Sequence, residues 1–279
     1  MDSIALHIDI NPIQPWSEIA VTWLVEEGCN AFEENTTGIV AYADASDINQ
    51  DEIIIKIESW AKTNDIEVKV KSELIPHQNW NAKWESDFHP VEVDDLLTII
   101  APFHDKANRK GMVVEIQPQM SFGTGHHQTT WMMSKALFEL GELLNSVLDM
   151  GAGTGILAIV AEKLGAKNIL AIDIEEWSAE NTRENAIRNQ CSCIETLHGD
   201  VDLLQDREFG LILANINKNV LKAQFEQYDK SLCAGGRIVL SGFFDTDVTD
   251  LLSHVEKFGF ELEKKWNKET WAAIQLKRK

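Results

Sequence analysis

Residues 147–159 read VLDMGAGTGILAI, in which two apolar runs flank three glycines at alternate positions. The first run is typical of a short buried strand, and the second is typical of a buried helix. Glycines between a strand and a helix permit a tight turn and let the backbone approach a ligand closely. This stretch therefore predicts a strand, a ligand-binding loop and a helix in direct succession.

The chain after residue 146 alternates strand and helix patterns. Strand patterns recur at NILAIDI (168–174), LILANI (211–216) and GRIVLSGF (236–243), while FELEKKW (260–266) and TWAAIQLK (270–277) predict a closing antiparallel hairpin. Such alternation predicts an α/β fold with a doubly wound, mostly parallel sheet and helices on both faces. Ligands of these sheets bind at the carboxyl ends of the strands, where the strand order reverses.

The first 75 residues follow a different pattern. Their order of elements, β-α-β-β-α-β, predicts a small ferredoxin-like α+β domain over residues 1–75. Prolines at 76 and 90 punctuate a stretch without a single period, which predicts a partly ordered linker followed by short strands over 76–105. The larger domain is then expected over 106–279.

The chain is strongly acidic, with 45 Asp and Glu against 25 Lys and Arg and a net charge of −20. Residues 1–72 alone hold 14 acidic and 4 basic residues, so the N-terminal domain is the more acidic part for its length. Such a surface repels nucleic-acid phosphates and favours a basic partner. General acidic solubilisation explains the same charge, and composition does not separate the two explanations.

The cysteines and the N-terminal segment indicate in which cellular compartment the protein is expected. The four cysteines include no CxxC pair, which is typical of reduced thiols. The N-terminus has no basic region followed by an apolar run, and no run approaches the roughly 18 apolar residues of a membrane span. We therefore expect a cytoplasmic protein without a secretion signal.

Two aspartates accompany the glycine loop. Asp149 lies two residues before Gly151, and the spacing GxGxG differs from the GxGxxG of dinucleotide-binding folds. An acid at this position suits a ligand with a cationic end, such as an amino-acid ammonium. Asp173 ends the next strand, 22 residues after Gly151, and is placed to accept hydrogen bonds from ribose hydroxyls. The alternative is that Asp173 only caps the following helix.

DMGAGTG (149–155) and AIDIE (171–175) resemble the class I S-adenosylmethionine-dependent methyltransferases. SFGTGHHQTT (121–130), together with ANI (214–216), is similar to the PrmA family, which methylates the ribosomal large-subunit protein numbered eleven. This resemblance implies S-adenosylmethionine as cofactor and a class I methyltransferase sheet. It also implies a basic ribosomal protein as partner, recognised by the N-terminal domain. The expected reaction is methylation of lysine side-chain amines, the N-terminal amine, or both.

The resemblance also implies residue roles. SFGTGHHQTT is expected to close over the methionine end of the cofactor, with Thr130 as the strongest candidate for a direct hydrogen bond. The cofactor-binding residues predicted in this way, together with those argued from the glycine loop, are Phe122, Thr129, Thr130, Asp149, Gly151, Gly153, Asp173 and Asn215. The predicted catalytic residues are Asn215 and His127.

Asn215 follows the fourth strand, where amine-directed class I enzymes place a polar residue beside the transferred methyl group. Its carbonyl can accept a hydrogen bond from an incoming amine. A free lysine amine, with a pKa of about 10.4, must lose a proton before transfer, and desolvation lowers that pKa. We identify no dedicated general base. His127 is a candidate for taking part in proton transfer. Asn217 departs from the NIL of PrmA relatives, and Asp200 is either an adenine contact or a turn residue.

The adjacent histidines His126 and His127 invite a metal interpretation. Zinc needs further ligands at suitable spacing, and methyl transfer from a sulfonium needs no Lewis acid, so we expect no metal. Two functional alternatives remain. One is a methyltransferase that acts on another protein, an RNA or a small molecule, and the net charge counts against RNA. The other is a non-catalytic acidic binding module, against which the intact Thr130, Gly151 and Asp173 argue.

Overall fold

The structure, a computed structural model, describes residues 2–76, 85, 87–119, 122–140 and 145–279. The chain divides into two compact units, Met1–Asp87 and Phe88–Lys279. The predicted boundaries at 75 and 105 differ from this division. Most of the first half of the predicted linker, at 77–84 and 86, lies outside the described residues.

The first unit follows the predicted order of elements. Its elements are β1 (Ser3–Asn11), α1 (Trp16–Glu26), β2 (Ala31–Glu34), β3 (Gly38–Asp44), α2 (Gln50–Thr63) and β4 (Glu67–Ile75). The strands form one antiparallel sheet in the order β2-β3-β1-β4. Apolar side chains of both helices and of β1 and β3 share one core. The ferredoxin-like assignment of this unit stays a prediction.

The second unit begins with a small three-stranded sheet. Strands β5 (Val91–Val93), β6 (Leu97–Ile100) and β7 (Met112–Glu115) lie in the order β5-β6-β7, and β6 pairs with β7 in parallel. Val93, Leu97 and Ile99 are buried in the same core as the glycine-loop strand and helix. Residues from Phe88 onward therefore belong to the larger unit because their apolar side chains pack into its core.

The main sheet has seven strands. Its elements, with the helix that precedes them, are α3 (Gln128–Glu139), β8 (Ser146–Met150), α4 (Ile156–Lys163), β9 (Asn168–Asp173), α5 (Glu176–Arg188), β10 (Ile194–His198), β11 (Phe209–Asn215), α6 (Lys218–Lys230), β12 (Leu232–Phe244), α7 (Val248–Val255), β13 (Phe260–Lys268) and β14 (Trp271–Arg278). The strand order is β10-β9-β8-β11-β12-β14-β13. Strands β8 to β12 run parallel, and β13 and β14 are the antiparallel hairpin. The predicted α/β sheet is confirmed, and its order reverses between β8 and β11.

Two buried asparagines, Asn185 on α5 and Asn189 directly after it, hold the segment that precedes SFGTGHHQTT. The Asn189 side chain accepts the Glu115 N–H at 2.9 Å and donates to the Glu115 carbonyl at 2.6 Å. One turn earlier, Asn185 accepts the Gln117 N–H at 2.9 Å and donates to the Thr154 carbonyl at 3.0 Å. Because both asparagines are buried, these bonds tie residues 115–117 to the glycine loop through one helix.

The structure also bears on two compositional expectations. All four cysteines, Cys29, Cys191, Cys193 and Cys233, are free thiols. Within the described ranges, none of the helices combines the length and the apolar character that crossing a membrane requires.

Candidate active site

The glycine loop after β8 adopts left-handed backbone angles that favour glycine. Gly151, Gly153 and Gly155 have φ of +74°, +58° and +77°. A Cβ added at Gly153 would collide with the Phe122 carbonyl oxygen, and one added at Gly151 would collide with the Ile216 side chain. The loop is therefore enclosed by chain on both sides, and larger residues are excluded by geometry as well as by backbone strain.

A cleft of about 420 Å³ opens at the carboxyl ends of β8, β9 and β11. Five predicted site residues line it, namely Phe122, Gly151, Gly153, Asp173 and Asn215. The other four, His127, Thr129, Thr130 and Asp149, lie outside its lining. The position is the one expected for a ligand at the reversal of strand order in an open parallel sheet.

Asp173 joins the glycine loop to the end of β9. Its Oδ2 accepts the Gly153 N–H at 2.8 Å, and its Oδ1 accepts the Glu175 N–H at 3.0 Å. The N-cap of α5 is Glu175, so Asp173 does not occupy the cap position. A carboxylate oxygen has a second lone pair, which leaves Asp173 able to accept hydrogen bonds from ligand hydroxyls in the cleft.

Three further residues line the cleft. The sequence analysis did not identify Ile174 and Trp177, and it left the role of Asp200 open. Ile174 and Trp177 line it with 69% and 45% of their surface exposed. The available signal for Ile174 was an apolar residue directly after the strand-ending acid. Asp200 lines the cleft while its Oδ1 accepts the Asp202 N–H at 2.9 Å, so it is a turn residue that also reaches the ligand space.

Asp149 lies beneath the glycine loop. It is 1% exposed, and its Oδ2 accepts the Ala158 N–H in the first turn of α4 at 3.0 Å. Burial, reinforced by the nearby Asp173 carboxylate, raises the pKa of Asp149 to about 7 against the lowering effect of the Ala158 N–H. The visible partner of this carboxyl is therefore backbone, and the predicted contact with a cationic ligand end stays a prediction.

His127 begins α3 as its N-cap. Its Nδ1 accepts the Thr129 N–H at 3.3 Å and lies 2.8 Å from the Thr129 hydroxyl oxygen. Burial lowers the pKa of His127 below its usual value, although Glu269 opposes the shift. The imidazole is therefore neutral at pH 7. Its ring lies 5.1 Å from the Phe122 ring, which lines the cleft.

Two predicted site residues carry buried oxygens without a hydrogen-bond partner among the described residues. These atoms are Thr130 Oγ1 and Asn215 Oδ1. Such groups are rare in folded proteins because an unpaired buried polar atom costs about 1–3 kcal/mol. Asn215 Oδ1 needs an N–H or O–H donor, whereas the Thr130 hydroxyl can donate or accept. Both atoms are suited to a polar ligand.

The SFGTGHHQTT segment is fastened to the glycine loop through Thr154. The Thr154 N–H donates to the Phe122 carbonyl at 2.9 Å, and its hydroxyl donates to the Gly123 carbonyl at 2.7 Å. Gly123 and Gly125 have φ of +104° and +95°. Phe122 and Gly123 therefore lie in direct contact with the glycine loop.

Two unusual polar positions have local structural roles. Asn217 is the N-cap of α6, and its Oδ1 accepts the Val220 N–H at 3.1 Å. Asparagine is a favoured N-cap, which explains the departure from NIL. His126 Nε2 lies 2.9 Å from the His89 carbonyl oxygen. Within the described ranges, no cluster of three His, Cys, Asp or Glu side chains has the arrangement of a metal site.

The sheet order, the glycine loop and the strand-ending acid together define a class I S-adenosylmethionine-dependent methyltransferase. A solved structure of the ribosomal protein L11 methylase from Lactobacillus delbrueckii subsp. bulgaricus matches with a TM-score of 0.63 and 28% identity, over 69% of this chain and all of that one. The expected cofactor, S-adenosylmethionine, follows from this class.

The family model for ribosomal protein L11 methyltransferase (PrmA) matches residues 15–279. The ribosomal protein L11 methyltransferase of Porphyromonas gingivalis is 39% identical over 255 residues, which cover 91% of this chain and 88% of the relative. That of Bacteroides fragilis is 33% identical over 262 residues, 93% of either chain. The chain belongs to the ribosomal protein L11 methyltransferase (PrmA) family.

The residues of the site fit this cofactor. The glycine loop leaves room for close backbone approach, Asp173 offers acceptors at the cleft, and two buried oxygens lack partners. When bound, the cofactor supplies a methyl group already activated on a sulfonium. The protein must therefore hold the cofactor and the acceptor amine, orient them and remove water from around them. It need not activate the methyl donor.

The unpartnered hydroxyl of Thr130 gives a first prediction. Thr130→Val should raise the dissociation constant for S-adenosylmethionine about 5- to 30-fold, because a hydrogen bond is lost in the complex. The melting temperature without cofactor should be unchanged or higher, because an unpaired buried hydroxyl has been removed. Titration calorimetry and thermal unfolding measure the two quantities.

Ser134 supplies a matched control. It is buried one turn later on α3, and its hydroxyl also lacks a partner among the described residues. Ser134→Ala should leave the dissociation constant within about twofold, since no contact with the ligand is assigned to it. Equal affinities for the wild type and Thr130→Val would remove Thr130 from the site.

The raised pKa of Asp149 gives a second prediction. Because its folded-state pKa of about 7 exceeds the usual 3.8, its proton stabilises the folded state fully below pH 3.8. That contribution is lost as the pH rises toward 7. Asp149→Asn keeps an acceptor for the Ala158 N–H and carries no charge. The wild type loses this contribution as the pH rises, and the variant does not. The free energy of unfolding of Asp149→Asn, relative to that of the wild type, should therefore increase by roughly 2–4 kcal/mol from about pH 4 to about pH 8.

Urea unfolding across this pH range measures the difference. The exposed Asp206, substituted by Asn, is the control for the loss of one carboxylate. Parallel stability curves for Asp149→Asn and wild type would contradict the assignment of a raised pKa to this carboxyl.

Proposed function

We propose that this enzyme transfers methyl groups from S-adenosylmethionine to amine nitrogens of the large-subunit ribosomal protein L11, on lysine side chains, the N-terminal amine, or both. The relatives named above are ribosomal protein L11 methyltransferases by name. The observation that carries the proposal is the buried, unpartnered Oδ1 of Asn215 at the cleft, because a carbonyl oxygen is the acceptor that an incoming amine N–H requires.

We assign the cofactor-binding roles as follows. Asp173 accepts hydrogen bonds from the ribose hydroxyls, and the backbone at Gly151 and Gly153 lies against the amino-acid part of the cofactor. Thr130 hydrogen-bonds to the cofactor, and Phe122 closes the cleft from the side. Thr129 and His127 support this arrangement from the start of α3, where they bond to one another.

The chemical requirement on the protein is to present a neutral amine. Asn215 orients the amine by accepting one N–H, which leaves the nitrogen lone pair free to face the methyl carbon. The apolar surroundings of the cleft favour the uncharged amine because desolvation lowers its pKa. His127, neutral at pH 7, adds no positive charge that would repel the substrate.

Recognition of a basic protein is assigned to the acidic N-terminal part of the chain. Residues 1–72 hold 14 acidic against 4 basic side chains, a charge that attracts the Lys- and Arg-rich surface expected of a ribosomal protein. The same charge disfavours direct binding to nucleic acid. We place the reaction in the cytoplasm, where ribosomal proteins are made.

The test is methylation of purified ribosomal protein L11 with isotopically labelled S-adenosylmethionine, read by mass spectrometry. Wild-type enzyme should add methyl groups to amine nitrogens. Asn215→Ala should lower the rate on the order of 100-fold by misplacing the amine, while cofactor affinity changes much less. The exposed Asn168, substituted by Ala, is the control and should retain full activity.

Two outcomes would contradict the proposal. Absence of methyl transfer to L11 by wild-type enzyme that binds the cofactor would favour another protein, an RNA or a small molecule as substrate. Failure to bind the cofactor at all would favour a non-catalytic binding module.

A further inference from the structure

Gln224, on α6, is a residue of the cleft to which no role has been assigned above. It lines the cleft together with Val220, which lies one turn earlier on the same helix. Residues four positions apart share one face of a helix, so this face of α6 borders the cleft. Gln224 is half-buried. A neutral side chain that carries both donors and acceptors is suited to recognise a polar group of a ligand in such a cleft.

A buried tyrosine one turn further along α6 fixes the orientation of the Gln224 amide. The Tyr228 hydroxyl donates to Gln224 Oε1 at 2.5 Å, and the Tyr228 side chain is fully buried in an apolar core. Burial raises the pKa of the Tyr228 phenol above its usual value, so the hydroxyl keeps its proton at physiological pH. Tyr228 therefore remains a hydrogen-bond donor, and the amide oxygen of Gln224 remains occupied.

This hydrogen bond leaves the amide nitrogen of Gln224 for a ligand. Nε2 carries two N–H donors, and neither has a hydrogen-bond partner in the part of the chain that the structure describes. If the amide were turned around, the buried Tyr228 proton would have no acceptor, which costs about 1–3 kcal/mol. Gln224 therefore presents donors, and the ligand group that it recognises must be an acceptor.

The part of the cleft that Gln224 borders is the part left for the adenine of the cofactor. Asn215 lies where the methyl group is transferred, and Asp173 is assigned to the ribose. The lining beyond Asp173 includes the apolar side chains of Ile174 and Trp177, which suit the faces of a flat ring. Adenine carries hydrogen-bond acceptors at its ring nitrogens N1, N3 and N7, which are acceptors of the kind that Gln224 requires.

We propose that Gln224 determines the specificity for adenine by donating from Nε2 to one of its ring nitrogens, and that Tyr228 is a positioning residue that holds the amide in this orientation. The inference rests on the placement of the ribose at Asp173 in the proposed function, and it does not depend on the methyl acceptor. A base without an acceptor at that ring position leaves the Gln224 donors unpaired, and it is therefore bound more weakly.

The test is titration calorimetry with S-adenosylhomocysteine and with its 1-deaza, 3-deaza and 7-deaza forms, each of which has C–H in place of one ring nitrogen. The full-length proteins are the wild type, Gln224→Leu, Gln224→Glu and Tyr228→Phe. Ala223→Glu is the matched control for charge, because Ala223 is exposed on α6 outside the cleft lining. Tyr42→Phe, at the other tyrosine of the chain, is the control for the loss of a hydroxyl.

The wild type should bind one of the three deaza forms about 2- to 12-fold more weakly than S-adenosylhomocysteine, the range for one lost hydrogen bond. Gln224→Leu should lose a similar factor for S-adenosylhomocysteine and should no longer distinguish it from that deaza form. Gln224→Glu, which keeps an acceptor for Tyr228 but has no N–H, should lose at least as much. Tyr228→Phe should distinguish the two ligands less well than the wild type does, and both controls should behave as the wild type.

Wild-type discrimination between the ligands in both Gln224 variants would overturn the inference. Wild-type discrimination in Tyr228→Phe would overturn the positioning role, because a merely structural hydrogen bond changes the melting temperature and leaves ligand discrimination unchanged. A wild type that does not bind S-adenosylhomocysteine would overturn the cofactor assignment together with this inference. A wild type that binds it and does not methylate L11 would overturn only the proposed function.

Discussion

The contact between the glycine loop and the Phe122–Gly123 backbone is the constraint on which the site depends. Thr154 donates two hydrogen bonds to these carbonyls, and only glycine fits at position 153 because the Phe122 carbonyl occupies the space of a Cβ. The same Gly153 donates its N–H to Asp173. One turn of chain therefore fixes three parts of the cleft at once. A substitution that moves one of these parts is therefore expected to move the other two.

Polar atoms in the second unit separate into two groups. The side chains of Asn185 and Asn189 bond to backbone groups of residues 115–117, and Asp149 and Thr129 also have protein partners. By contrast, Thr130 Oγ1 and Asn215 Oδ1 are buried without partners among the described residues. The Ser134 hydroxyl on α3 also lacks a partner among them, so the missing partner alone does not define a ligand contact, but Asn215 also lines the cleft.

Much of this arrangement could be predicted from the sequence because its signals are local. The glycine spacing and the acid that ends β9 lie within short stretches whose periodicity identifies strand and helix, and the loop and Asp173 both line the cleft. The stretch 76–105 was predicted as a linker with short strands because it lacks a single period, and its strands β5 and β6 are three and four residues long. Their burial depends on a core formed by distant segments.

The remaining differences have the same origin. The Asp149 carboxylate lies beneath the glycine loop and accepts the Ala158 N–H, a direction that no sequence pattern reveals, and its contact with the ligand stays a prediction. Gln224 and Tyr228 are four residues apart, a spacing that brings side chains together on a helix. That this face of α6 borders the cleft depends on the packing of α6 with residues distant in the sequence.

A crystal structure of the full chain with S-adenosylmethionine bound tests the central claim most directly. The account predicts a ribose hydroxyl within about 3 Å of the Asp173 carboxylate and a polar cofactor atom within hydrogen-bonding distance of Thr130 Oγ1. The methyl group should face the Asn215 carbonyl side of the cleft. A cofactor bound elsewhere, or one bound here with Thr130 Oγ1 still lacking a partner, would contradict it.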